Sequence, residues 1–417
     1  MAEFIIEALG TLGHGIAKDK TGRPVYIPGT VPGERITATG EPPHLELDSI
    51  LDPSPHRVDP PAPDLLETGI APLQHMSLSA QRDWKRSEVE RAFSKVGLKP
   101  AIHPTIGHEP QTRRRVVLTA WREGDAVQLG FRPQSSSERV AVEKCPILLP
   151  ALEGAFESLR SLLATILQGR AEMRVHMTAA ENGLDIAIET EASINEDMKA
   201  AMVRAFARSP FLRATANGEL IAMREQPVVV FGGATVDLPP GAFLQAVKPA
   251  ERAMVDLVTA HLAKSKRVVD LFSGLGTFAF PLSRKSKVHA VESDADAINA
   301  LRYARREGGK AVTAEVRDLM ELPLTASELA SFDGICLDPP RAGAIEQIHE
   351  VAKTEVRRIA YVSCNPETQA RDVAVLVKAG WTLGRITPID QFVYSTHIES
   401  VALLEKKGAA KKRSIFR

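Results

Sequence analysis

The chain has 417 residues, with 52 basic and 52 acidic side chains and a net charge of zero. That length exceeds one ordinary core and implies two or three domains. The charge balance argues against a bulk nucleic-acid coat while leaving room for a local basic surface. No apolar run approaches the ~20 residues of a membrane span, and the amino terminus lacks the basic and apolar regions of a secretory signal. A cytoplasmic protein without membrane contact is expected. Cys145, Cys336 and Cys364 are widely spaced and form no disulfide framework or C-x-x-C pair, which fits a reducing compartment.

Residues 1–52 alternate apolar and polar side chains between Gly and Pro turns, the pattern of a small all-β barrel. A Pro-rich stretch, DPSPHRVDPPAPDLLETG, follows as a linker or irregular lobe. A helix is predicted over Ser79–Gly97, with Ser79 as N-cap and Gly97 as the stop. Residues 113–240 mix strand-like runs (VVLTAW, AVQLGFR, LDIAIET, PVVVFGG) with an amphipathic helix across PALEGAFESLRSLLATILQG, a central α+β domain. From about Gly241 strands and helices alternate: KRVVDLF, KVHAVES, GKAVTAEVRD, FDGICLDPP, RRIAYVSC, WTLGRITPI and ESVALLE. Residues 241–417 are therefore predicted as an α/β, Rossmann-like doubly wound sheet of seven strands. Only a short loop separates the last two strands, so the last should run antiparallel. Residues 53–112 remain as a loop and helix between barrel and central domain.

VVDLFSGLGTFAF reads as an apolar strand, a turn with Gly274 and Gly276, and a helix start. A lone G-x-G is weak evidence for a ligand. It gains weight because an acid, Glu292, ends the next strand about 20 positions after Asp270. A carboxylate there can accept both ribose hydroxyls of an adenosine. NAD is the competing cofactor. The missing third glycine and the acids around the loop favour S-adenosylmethionine, which has no pyrophosphate to place on a helix terminus. Asp318, ending the third strand, either faces the adenine or caps the segment after it.

Asp338-Pro339-Pro340-Arg341 ends the fourth strand, where open α/β sheets bind ligands. The two prolines stiffen that loop and can fix Asp338. Cys364 ends the fifth strand among Ser363, Asn365 and Pro366, poor company for a core residue, whereas Cys336 lies inside an apolar strand and reads as core. An exposed thiol beside such a cofactor suits one chemistry. Carbon 5 of uracil becomes a nucleophile only after a thiolate adds to carbon 6, and a base must then remove the proton from carbon 5. Glu399, opening the last strand, is the candidate base.

On these strings the chain resembles the RNA 5-methyluridine (uracil-5) methyltransferases of bacterial 23S rRNA and tRNA over nearly its whole length. SCNP and DPPRAG are specific strings that carry the resemblance, His397 and Glu399 match the H-x-E base motif, and GHGIA with V-P-G-E resembles the TRAM-type RNA-binding barrel. GAFLQ resembles the F-x-Q-x-N motif, with Val247 in place of the Asn. The resemblance implies a methyltransferase domain at 241–417, Cys364 as nucleophile and Glu399 as base. Gln245, Phe272, Thr277, Glu292 and Asp338 would line the cofactor and uracil site, Thr277 standing where relatives often have Asn.

The rRNA branch often holds an iron–sulfur cluster on C-x5-C-x2-C plus a fourth cysteine. Aligned on Pro72–His75, the first three fall on Ala62, Thr68 and Ala71, and only Cys145 survives. One thiolate cannot hold such a cluster, so no cluster and no metal are expected. RNA is the expected partner, rRNA favoured and tRNA possible. Arg113, Arg114, Arg115 and the tail KKGAAKKRSIFR are candidate phosphate contacts. A cytosine-5 methyltransferase fits less well, because Arg341 rather than Cys follows the Asp-Pro-Pro. The non-enzymatic alternative is an RNA-binding or RNA-folding protein on the same fold, which intact Cys364, Glu399 and Glu292 oppose.

Overall fold

A computed structural model describes residues 2–66, 71–132, 139–169 and 171–406. Frequent Gly and Pro keep the first 52 residues from forming helices. They form one six-stranded sheet in the order Ala2–Ile5, Arg35–Glu41, His44–Asp52, Pro24–Ile27, Gly15–Lys18 and Ala8–Leu9. Period-two alternation sends Ala17, Val25, Ile27, Ile36 and Ala38 into a core of their own. Glu34, fully buried, ties the following loop to this sheet: it accepts from the Val31 N–H at 2.8 Å and from Arg57 Nη2 at 2.7 Å.

The first long helix spans Leu78–Lys95. Its N-cap is Ser77, whose hydroxyl accepts from the Ala80 N–H, so the expected start at Ser79 lies two residues too late. Gly97, with φ +77°, does end it. Val89, Ala92 and Phe93 of this helix share a core with the helix Pro366–Lys378 and with the carboxy-terminal strands.

Residues from Arg115 to Met223 form a seven-stranded sheet around its own large core. The single helix expected at PALEGAFESLRSLLATILQG is two, Pro150–Glu153 and Phe156–Leu163, parted at Gly154, where glycine's backbone freedom weakens a helix. Ala71 and Cys145 are fully buried in this core and Ala62 packs against it, while Thr68 lies outside the described residues. Burial pushes the Cys145 thiol up to about 11. A single protonated thiol among alkyl groups does not fit an iron–sulfur cluster. Among the described residues no group of three His, Cys, Asp or Glu could hold a metal ion.

The carboxy-terminal sheet has eight strands, one more than expected. Its order is Val312–Val316, Lys287–Glu292, Arg267–Leu271, Gly334–Leu337, Arg358–Ser363, Glu399–Lys406, Trp381–Asp390 and Ile106–Gly107. The first five are parallel; Glu399–Lys406 runs antiparallel to both neighbours, as anticipated, but inside the sheet. The extra strand, Ile106–Gly107, comes from far upstream and pairs with Ile389 and Asp390. The hairpin Val228–Phe231/Ala234–Asp237, read from sequence as part of the central region, packs Val229, Phe231 and Val236 into the core of this sheet. No helix among the described residues is long and apolar enough to cross a membrane.

Candidate active site

Beyond the strand Arg267–Leu271 the chain turns through Phe272, Gly274 and Gly276, with φ of +62°, +50° and +93°. At Gly276 a Cβ would lie 2.7 Å from the Phe280 ring, so only glycine fits; at Gly274 it would meet open space. The Gly274 N–H donates to Glu292 Oε2 at 3.0 Å. Glu292 Oε1 accepts from the N–H groups of Ser293 at 2.7 Å and Asp294 at 3.1 Å. Thr277 is half-buried on the same turn. Asp270 lies beneath it, fully buried, with no hydrogen bond of normal geometry to either carboxylate oxygen. Burial pushes its carboxyl up to about 8, and the charges of Asp338 and Glu292 add to that. Asp318 is exposed, and its Oδ1 accepts from the Met320 N–H at 2.8 Å. Of its two expected roles the structure shows the cap of the following turn.

Strand register assembles the rest. Leu337 is level with Tyr361 in the parallel pair, and Ser363 faces Ser400 in the antiparallel one. One residue further, Asp338, Cys364 and Glu399 emerge together at the same edge of the sheet. Gln245 Nε2 donates to Asp338 Oδ2 at 2.9 Å. Gln391 Nε2 donates both to Gln245 Oε1 at 2.9 Å and to Glu399 Oε2 at 2.7 Å. A chain of amides thus joins the two carboxyl groups.

These acids raise one another. Burial, then Glu292, pushes Asp338 up to about 7 against the Gln245 hydrogen bond. Burial, then Asp338, drives Glu399 well above the usual carboxylate range, with Gln391 opposing. Burial, Glu399 and Asp338 push the half-buried Cys364 thiol up to about 11, and only Arg341 among the nearby side chains pulls it down. Four acids with no ion pair among the described residues make a pocket suited to a positively charged ligand.

Cys364 lines a cleft of about 1520 Å³ that runs from Arg341, Asn365, Gln391 and His397 past Arg113 and Arg132 to His14 of the amino-terminal sheet. Arg341 Nη1 donates to His397 Nδ1 at 3.2 Å. Arg113 faces the cleft with its guanidinium 5.9 Å from the Phe392 ring centroid. Arg114 does not: it is buried, pairs with Glu251 and donates from Nε to the Gln245 carbonyl at 2.9 Å, so it supports the site instead of touching RNA. The tail beyond Lys406 lies outside the described residues. The sequence reading did not single out Gln391. Its one signal was a polar pair, Asp390-Gln391, closing the apolar strand ITPI.

Residues 235–407 match the family model of the tRNA (uracil-5-)-methyltransferases. A 23S rRNA (uracil(1939)-C(5))-methyltransferase of Aeromonas salmonicida is 32% identical over 425 residues, covering 97% of this chain and 96% of that protein. The chain belongs to the RNA uracil-5 methyltransferase family. An uncharacterized RNA methyltransferase of Mesorhizobium japonicum is 42% identical over 407 residues, 97% of this chain and 98% of that protein. The fold is that of the Pyrococcus abyssi tRNA (uracil-54, C5)-methyltransferase, solved with S-adenosyl-L-homocysteine: the TM-score is 0.75 at 21% identity, over 96% of this chain and 99% of that one.

Proposed function

We propose that this RNA uracil-5 methyltransferase forms 5-methyluridine in 23S rRNA through a covalent adduct on Cys364. The observation that carries the reading is the emergence of Cys364 and Glu399 side by side at one sheet edge, the thiol in the wall of a cleft of about 1520 Å³. The full-length likeness to a 23S rRNA enzyme supports rRNA over tRNA.

The residues present fit S-adenosylmethionine. Glu292 offers a carboxylate to the ribose hydroxyls, Gly274 leaves open space beside it, and Phe272 and Thr277 stand on the same turn. Asp270 and Asp338 are short of positive charge, which this cationic cofactor brings. When bound, it supplies an electrophilic methyl group for carbon 5.

Cys364 gives its proton to solvent in the cleft and its sulfur adds to carbon 6, turning carbon 5 into an enolate carbon. Glu399 must first give up the proton that burial and Asp338 hold on it; as the carboxylate it then takes the proton from carbon 5, and the electrons left behind re-form the 5,6 double bond as the sulfur departs. The target base must be flipped out or already unpaired to reach Cys364. We read the four parts of the chain, 1–52, 53–112, 113–240 and 241–417, as an RNA-gripping β region, a connecting lobe, a central platform and the catalytic part.

Methyl transfer from labelled S-adenosylmethionine to RNA of a strain lacking this protein tests the reading, with Cys364→Ala in parallel. 5-Methyluridine in 23S rRNA with wild type only is the expected result. 5-Methyluridine in tRNA instead would overturn the substrate, and RNA binding without any 5-methyluridine would overturn the chemistry in favour of an RNA-binding protein.

A further inference from the structure

Gln391 is 3% exposed, yet its side-chain oxygen has no hydrogen-bond partner. Both protons of its amide nitrogen are already used, one on Gln245 Oε1 and one on Glu399 Oε2. With Asp338 ionised, the orientation of Gln391 is set. Gln245 gives its own NH₂ to Asp338 and so must present oxygen to Gln391, and Gln391 can answer only with nitrogen. The oxygen that this leaves over belongs to a residue lining the cleft beside Cys364. A buried acceptor without a donor is uncommon in a folded protein and calls for one from outside.

Resting on the uracil reading above, we propose that Gln391 Oε1 accepts the N3–H of the target uracil and is a specificity-determining residue of the site. Uracil joined to ribose carries one N–H donor, at N3. Cytosine has a bare, accepting N3 there, which would set two acceptors against each other. The amide chain from Asp338 prevents Gln391 from turning over to suit cytosine. Recognition of uracil and placement of the base Glu399 are thereby joined in one side chain. A site built around a substrate N–H rejects the analogue lacking it far more strongly than an apolar pocket rejects a change of shape.

The test compares two fragments of 23S rRNA, one carrying the uridine that the methylation assay maps and one with cytidine at that position. Dissociation constants are measured with S-adenosylhomocysteine present, so that no turnover occurs. Wild type should hold the uridine fragment more than about tenfold tighter, and Gln391→Met should bring the ratio to within about threefold. Gln391→Asn, which withdraws the amide by one methylene, should narrow it as well. An unchanged ratio in both variants overturns the assignment, as would a wild type that does not discriminate. Covalent capture of a 5-fluorouridine fragment, whose fluorine cannot leave as a proton, reports that a variant is folded with Cys364 in place. A wild type that neither forms 5-methyluridine nor captures this fragment refutes the parent reading. A wild type that does both, beside variants with an undiminished preference for uridine, refutes only the role of Gln391.

Discussion

Lys85 Nζ lies 2.5 Å from Asp390 Oδ1 across 305 residues of chain, and both side chains are fully buried. The same ammonium donates to the Phe392 carbonyl at 2.8 Å. Lys85 therefore grips the segment on both sides of Gln391, and with it the partner of Glu399. Another clamp comes from Gln81, whose Oε1 accepts from the Tyr394 N–H at 3.0 Å.

Removing one member of a buried pair leaves a charge without compensation, at a cost of about 3–5 kcal/mol. Lys85→Met should therefore lower stability by about that amount in chemical denaturation. It should also slow the release of Cys364 from the methylated base more than it weakens RNA binding. Equal stability of variant and wild type would show that the pair does not hold this segment.

The thiol of Cys364, pushed up to about 11, is almost wholly protonated at neutral pH. Capture of 5-fluorouridine RNA should therefore accelerate with pH, by roughly tenfold per unit well below the thiol's pKa, without a plateau before pH ~9. Arg341→Ala removes the charge that favours the thiolate and should slow capture by about threefold to tenfold at pH 8. A plateau reached by neutral pH would mean that the thiol is already ionised there.

Asp270, held up to about 8, keeps a proton that the unfolded chain releases near its ordinary value of 3.8. Native protein then binds more protons than unfolded protein between those limits, so this group's contribution to stability falls as pH rises through that window. Asp270→Asn should match wild type near pH 4 and gain on it by about 1.4 kcal/mol per pH unit up to pH ~8, as seen in thermal unfolding without cofactor. The same change should weaken S-adenosylmethionine binding. A stability difference that does not grow with pH would show that Asp270 is ionised in the folded protein.

The three thiols should differ in reactivity for reasons of access. Cys145 and Cys336 are fully buried and Cys364 is half-buried at the cleft. Iodoacetamide on the native protein should label Cys364 first by mass spectrometry, and S-adenosylhomocysteine with target RNA should protect it. Labelling of Cys145 at a similar rate would mean that the core around Ala71 opens readily.

Sequence alone determined the residues whose chemistry is local: the strand–Gly-turn–helix with Glu292, the Asp-Pro-Pro strand end at Asp338, Cys364 outside the apolar run and Glu399 at the start of the last strand. Each follows from side-chain type and period-two or helical patterning, which a short window records. Tertiary structure alone decided that Ser77 caps the first helix, that Ile106–Gly107 adds an eighth strand and that Arg114 turns inward to Glu251. It also decided that Asp318 caps a turn, and that Gln391 joins Gln245 to Glu399 across 146 and 8 residues. The reason is physical: burial and hydrogen-bond pairing belong to groups brought together through space, and no local pattern in a chain says which distant amide or carboxylate will stand 3 Å away once it is folded.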